Sequence, residues 1–331
     1  MKKPKLTIVL PVFNAKKDLE RFFPSLANQT FPKSDMEILV LDGGSTDGTI
    51  ELARRYKTKV VHNPDKLAEP GIWFGCKLAK APLIMILASD IVFPSPDTIK
   101  TIVDVFQNKS VVAAYPKFTC GSGDTIYSQY YNAFSEPFTH FVYGDATNYR
   151  TFHKVYPTLL HTDTYDVYDF SSSPVFPGLG FAHGFTIRKQ HLPHRREKSD
   201  DFMVVYALIK QKAQLAYVYS APIYHYVIRD FKQFVSKERR SVENALLRGD
   251  SGITVRASYL TMPQRLLMYL FFPYAFSIIV PLLRSIVNAI RYREPAWLLH
   301  WYMVFVSAMI ICLIVISITV KKSIYGDLRT Q

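Results

Sequence analysis

The stretch "LDGGSTDGT", Leu41–Thr49, closes an apolar run and opens a stretch that reads as helical. It sets two carboxylates, Asp42 and Asp47, among glycines and hydroxyl side chains at the end of a buried strand. A strand that leaves through such a loop into a helix is the repeating unit of a parallel sheet flanked by helices, and the chain repeats it on both sides. Apolar runs predict strands at Leu6–Val12, Glu37–Leu41, Val60–His62, Leu83–Ala88 and Val111–Tyr115. Amphipathic stretches predict helices at Lys16–Ala27, Asp47–Tyr56, Gly71–Lys80 and Pro96–Gln107. Sheets of this kind bind ligands outside the carboxyl ends of their strands. The polar residues of interest all fall at those exits.

The first exit, "PVFNAKKDLE", has no glycine, so it cannot be the tight turn that brings a pyrophosphate to a helix N-terminus, and no Walker A loop occurs anywhere. A bound nucleotide would have to be held by side chains and short loops. Pro11 to Asn14 can form a wall for it, and an ionised Asp42 can accept hydrogen bonds from a base or ribose. Asp42 and Asp47 read equally as a turn and a helix N-cap. The fourth strand exit, "LIMILASDIVFPSPD", ends a strongly apolar run in Ser89 and Asp90. A carboxylate beside a low-dielectric core is costly without a partner, and a divalent cation bridging a diphosphate would supply one.

The chain has 331 residues and a formal charge of +13, from 40 Lys and Arg against 27 Asp and Glu. That balance favours phosphate-bearing partners. The basic residues gather near the apolar C-terminal region and no nucleic-acid motif is present, which argues against a nucleic-acid partner. Cys76, Cys120 and Cys312 lack metal spacing and are far apart, as expected of a reducing compartment. The N-terminal "MKKPKLTIVLPVF" is short and broken by Pro11, so it reads as a first strand. The triplets at Asn28 and Asn108 match glycosylation sequons but carry no weight on a cytoplasmic domain.

Near the other end, Trp297–Val320 is uncharged apart from His300 and long enough to cross a hydrocarbon core of about 30 Å. Leu266–Leu283 is uncharged, shorter, and contains Pro273 and Pro281, so it reads either as a second span or as a re-entrant or interfacial helix. Arg256 and Arg265 before it, with Lys321 and Lys322 after the second segment, favour a hairpin in the cell membrane with the soluble part facing the cytoplasm. Arg284, Arg291 and Arg293 between the segments pull the other way.

From residue 5 to about 250 the chain resembles the family 2 glycosyltransferases of the GT-A fold. The resemblance rests on "TIVLPVFN", "LDGGSTDGT", "NPDKLAEPGIWFGCKLAKAPLIMILASDI", "EKSDDFMVVYALIKQ" and "YHYVIRDFKQFVSKERR", taken in order. It implies a mostly parallel central sheet with flanking helices and a catalytic domain over 1–250, its donor half about 1–118 and its acceptor half about 119–250. A membrane-anchoring region would follow over 251–331, with hydrophobic segments 266–283 and 297–320. Pro11, Phe13 and Asp42 would contact the nucleoside, with Asn14, Ser45, Glu69 and Ser89 completing the nucleotide-sugar site. Asp90 would be the last acid of the metal-binding D-x-D element, holding Mg²⁺ or Mn²⁺.

The sequence departs from that pattern at Ala88, where the first acid of the element is usual. His225, in "IYHYV", matches a late histidine ligand of some GT-A enzymes and reads also as structural. Asp200 and Asp201 match the acidic pair before the acceptor helix, Phe202–Gln211, with Asp201 the base for an attacking hydroxyl and helix capping the other reading. Lys237, Arg239 and Arg240 are suited to phosphate, or form a solvated basic helix at a membrane surface. The aromatic segment around Tyr130 and Phe134 shapes the acceptor side or belongs to the core. The activity implied is inverting transfer from a nucleotide-sugar donor to a hydroxyl of a lipid-linked or other glycan. Transfer to a polyprenyl phosphate and a catalytically impaired nucleotide-sugar binding protein are the alternatives.

Overall fold

The computed structural model describes residues 3–180, 183–193, 202–248 and 259–325. It forms two compact units, one of 1–123 with 149–227 and the other of 124–148 with 228–331.

The first unit is built on a mixed 10-stranded sheet. Strands β1 (Leu6–Val12), β2 (Met36–Asp42), β3 (Lys59–His62) and β4 (Leu83–Ile86) lie where the apolar runs predict them. They pair in parallel, with β1 between β2 and β4 and β3 outside β2. Val12 stands opposite Asp42 and Val9 opposite Ile86, so these strands end together on one edge. After β4 the chain makes the two-residue β5 (Ile91–Val92) and later β6 (Val111–Thr119).

The second half of the sheet was not legible beforehand. It comprises β7 (Thr158–His161), β8 (Asp166–Tyr168), β9 (Thr186–Arg188) and β10 (Gln214–His225). β9 runs antiparallel between β4 and β6, and β10 runs parallel to β6, so the sheet is mixed.

Both faces of the sheet are covered, which is why its strands read as nearly continuous apolar runs. On one face Leu6, Ile8 and Leu10 pack with Leu19, Phe22 and Phe23 of α1 (Lys16–Ala27) and with Ile99 and Ile102 of α4 (Thr98–Asp104). The other face takes α3 (Ala68–Leu78) at very short range, because a side chain on Gly75 would come within 2.6 Å of Val9 Cγ1. Between them α2 (Thr49–Arg55) follows the "LDGGSTDGT" loop.

In the second unit, α5 (Ile126–Phe134) and α6 (Pro137–Tyr143) belong with the C-terminal helices, whereas α7 (Tyr149–Phe152) and α8 (Phe202–Lys210) belong to the first unit. The C-terminal helices are α9 (Phe231–Arg248), α10 (Met262–Phe276), α11 (Ile279–Tyr292) and α12 (His300–Tyr325). Pro295–Val320, including the 3₁₀ turn before α12, is long and apolar enough to cross a membrane. The segment 266–283 is not one helix: the chain breaks between α10 and α11 and bends by 96°. Ile278, with φ of 55°, sits at the break.

Candidate functional site

The site residues of the first unit collect at the carboxyl edge of β1, β2, β4 and β10. Asp42, the last residue of β2, is buried, and its carboxylate accepts the backbone N–H groups of Gly44 at 2.9 Å and Ser45 at 3.1 Å. Both readings of Asp42 are therefore compatible with its geometry: the side chain shapes its own turn, and ionised carboxylate oxygens have further acceptor capacity. The turn is laced to the β1 exit. Asn14 donates its backbone N–H to Ser45 Oγ at 2.9 Å, and its Oδ1 accepts the Thr46 N–H at 2.9 Å. Asn14 has φ of 48°, a conformation asparagine tolerates better than most residues. Beside it Phe13 projects its ring into solvent, 60% exposed.

Asp47 holds two helix starts together. Its Oδ1 accepts Thr49 N–H and Oγ1–H at 3.0 and 2.5 Å, and its Oδ2 accepts the Lys16 N–H at 3.1 Å. Burial would raise its carboxyl, but the hydrogen bonds from Thr49 and Lys16 outweigh it and hold the group below its ordinary value. Asp47 thus accepts the first N–H of both helices without itself being the N-cap residue, which is Ala15 for α1 and Gly48 for α2.

Asp90 follows β4 and leads directly into β5, whose Ile91 pairs antiparallel with His225 at the end of β10. That pairing, with Tyr226 N–H on Asp90 O at 3.0 Å, brings the Asp90 carboxylate to 3.6 Å from His225 Nε2. Ser89 is half-buried beside it, and Glu69 lies exposed at the start of α3. Among the described residues no three His, Cys, Asp or Glu side chains already converge as a metal group. The Asp90–His225 pair supplies one carboxylate and one imidazole.

His183 lies beside this pair. Its ring lies 4.7 Å, centroid to centroid, from that of His225, and Phe118 touches both histidines. Nothing in "FAHGF" distinguishes it until the pairing of β9 is known.

Other expected residues fall elsewhere. Tyr130 and Phe134, expected on the acceptor side, are core residues of the second unit instead: Tyr130 is fully buried with its hydroxyl 2.7 Å from His300 Nδ1, and Phe134 packs on Trp297. Lys237 lies over the Tyr131 ring, Arg239 pairs with Glu243 at 3.7 Å, and Arg240 is exposed, all on α9. Asp200 and Asp201 lie outside the described residues.

Residues 7–168 match the family model described as glycosyl transferase family 2. Glycosyltransferase AglE of Haloferax volcanii is 40% identical over 55 residues, covering 17% of this chain and 18% of that protein. The poly(ribitol-phosphate) beta-glucosyltransferase of Bacillus spizizenii is 34% identical over 93 residues, 26% of this chain and 15% of that protein. The chain thus spans under a fifth of the length of these relatives. Among solved structures, the mannosyltransferase PcManGT from Pyrobaculum calidifontis, in complex with GDP-Man and Mn²⁺, superposes with a TM-score of 0.53 at 14% identity, over 94% of this chain and 88% of that one. That likeness identifies the fold as GT-A.

Proposed function

We propose, from the premise that residues 7–168 belong to glycosyl transferase family 2, that the chain is a membrane-anchored, inverting glycosyltransferase. It moves a sugar from a nucleotide-sugar donor to a hydroxyl of a lipid-linked or other glycan acceptor. The observation that carries this reading is the gathering of Asp42, Asp90 and His225 at strand ends on one edge of the sheet. Residues 1–250 form the catalytic domain, with donor binding in about 1–118, and 251–331 the anchoring region.

In this reading the exposed Phe13 ring and Pro11 flank the nucleoside, and Asp42 accepts from it. Asn14 and Ser45 keep the two loops in register, so that the pocket is set before the donor arrives. Ser89 and Glu69 stand at neighbouring exits toward the sugar. Asp90 and His225 hold a divalent ion, which when bound neutralises charge developing on the leaving diphosphate. Asp201 takes the proton of the attacking hydroxyl, and Asp200 belongs to the acceptor side. A phosphate acceptor is already ionised and would need no such base, which favours the hydroxyl. Lys237, Arg239 and Arg240 meet anionic groups of donor, acceptor or lipid. The deposit of apolar side chains on α10 to α12 keeps this domain at a cytoplasmic membrane face.

Ala88 supports a second reading, a nucleotide-sugar binding protein without turnover. One experiment separates the two: nucleotide sugars are screened with Mg²⁺ and Mn²⁺ for thermal stabilisation, then for transfer to lipid-linked acceptors. Stabilisation with transfer supports the enzyme, and stabilisation alone supports the binding protein. If no nucleotide sugar or nucleoside diphosphate stabilises the chain with either metal, both readings fail.

A further inference from the structure

Beyond the end of β4 the carboxyl edge of the sheet has a second rim, made by β6. Both strands pair with Thr186 of β9, which puts Met85 of β4 level with Ala114 of β6. β4 stops at Ile86, whereas β6 runs on to Thr119, so its last residues project past the end of β4. In the strand order β6 lies two places beyond β4 and four beyond β2, or roughly 10 and 19 Å at about 4.8 Å per strand. With the nucleoside at Asp42 and the diphosphate at Asp90, the donor uses the ends of β2 and β4. The end of β6 is left to the acceptor.

That end carries a cation. Lys117 is half-buried, and its Nζ lies 5.9 Å from the centre of the Tyr149 ring. No Asp or Glu among the described residues forms an ion pair with it. A half-buried ammonium group without a carboxylate beside it keeps its attraction for an anion. The same side of β6 gathers Tyr149, whose ring stacks on Tyr217 at 4.5 Å, and Arg150, whose Nε reaches the Tyr149 hydroxyl at 3.5 Å. Tyr217 in turn stands opposite Tyr115, two residues before Lys117 in a strand whose alternate side chains share a face. β10 makes room at this level: Val218 pairs with Pro116 and Ile223 with Phe118, so the register shifts opposite Lys117. Such bulges gather beside active sites, where they re-aim side chains. On the other face of β6, Phe118 packs against His225, the neighbour of Asp90. Lys117 and the Asp90–His225 pair therefore flank one rim.

We propose that Lys117, with Arg150 and the Tyr149 hydroxyl beside it, binds a phosphate group of the acceptor, so that the acceptor is a phosphate ester bearing a free hydroxyl and not a neutral glycan. The inference rests on the nucleotide-sugar site of the proposed function and adds to it the charge that the acceptor must present. Lysine meets a phosphate as a point charge and arginine through paired donors, while a tyrosine hydroxyl donates to a phosphate oxygen. A lipid phosphate and a soluble sugar phosphate present the same group to these side chains.

The full chain in non-ionic detergent is first titrated calorimetrically with UDP and with GDP. With the nucleotide that binds kept saturating, it is then titrated with farnesyl phosphate, farnesol, glucose 1-phosphate and methyl glucoside. A phosphate probe is expected to bind about tenfold or more tightly than its phosphate-free counterpart. Lys117→Gln, which keeps the stem and removes the charge, should abolish that advantage while nucleotide affinity stays at the wild-type value, which also reports a folded variant. Lys117→Arg should keep the advantage. Preference for farnesyl phosphate alone assigns the phosphate to a lipid, preference for glucose 1-phosphate alone assigns it to a soluble ester, and preference for both supports the subsite whatever carries the group. Equal binding of phosphate and phosphate-free probes by wild type overturns the subsite and leaves the donor site standing. A phosphate advantage that survives in Lys117→Gln, or an equal loss of nucleotide affinity there with Lys117→Arg intact, does the same. If neither UDP nor GDP binds wild type, the donor reading falls and the subsite with it.

Discussion

At the scale of single residues, Asp47 shows how a carboxylate at the sheet edge serves structure. Asp47 is engaged by both helix starts, so Asp47→Ala removes side-chain acceptors of helix N–H groups, a loss of roughly 0.5–2 kcal/mol in all. Its folded value lies below the ordinary 3.8, so its contribution is complete above that pH and is lost as pH falls through the lower folded value. Urea midpoints should show the variant clearly weaker than wild type at pH 7, with the gap closing at strongly acid pH. Asp201 is the proposed base. If it is the base, Asp201→Asn should lower turnover by about 100- to 10,000-fold while donor affinity, measured by calorimetry, stays within a few-fold. Equal loss of both would make it a structural residue. In the sequence Asp42 and Asp90 stand out as acids at the ends of apolar runs, whereas His225 is singled out only by the family resemblance.

At the scale of elements, the first strands and helices, the helix from Phe202 and the apolar C-terminal helix were legible, and the short late strands were not, for reasons visible in the residues. β1, β2 and α1 have the boundaries expected within a residue or so, because buried parallel strands and an amphipathic helix leave strong periodic signals. β7, β8 and β9 are three or four residues long, and β7 is exposed throughout, so they leave no run to recognise. The aromatic segment around Tyr130 was ambiguous since the same residues suit a core and a binding face.

The elements of the second unit also contain a titratable tie. Glu238 of α9 is buried, accepts from Tyr131 of α5, and accepts the Ser307 hydroxyl of α12 at 2.9 Å. Burial, with the nearby Glu136 charge, pushes its carboxyl up to about 7 from 4.5, against the opposing hydrogen bonds and Lys237. A raised acid means that the folded state holds the proton more tightly, so stability is highest below 4.5 and declines as pH rises from there to about 7. In detergent, the melting temperature of the full chain should fall between pH 5 and pH 8, and Glu238→Gln should flatten that slope. An unchanged slope in the variant would assign it to other groups.

At the scale of the whole chain, the question is whether α12 crosses a bilayer or merely packs as an apolar core helix. One side of it is covered by protein: Val242 of α9 packs with Ile310 and Ile314, and Glu238 reaches Ser307. The other side is bare, since Met309, Leu313, Ile316 and Val320 are exposed at spacings of four, three and four residues, the stripe of a helix that presents one face to lipid. α11 carries a second bare stripe, Ile279, Leu283, Ile286 and Ile290, with Arg284 and Arg291 on the same helix. An apolar face with arginines alongside is the pattern of a helix lying in the headgroup region, and the 96° break before it gives the chain the turn such a position requires. A spanning α12 and a lying α11 predict different extraction behaviour. Alkaline carbonate strips helices that lie on a membrane and leaves those that cross it, so the full chain should stay with the membrane pellet. Ile286→Glu with Ile290→Glu should leave that retention intact and reduce only the vesicle binding contributed by α11. Release of the wild-type chain into the carbonate supernatant would mean that the bare stripe of α12 rests on the surface with α11, and the anchoring assigned to residues 297–320 would be withdrawn.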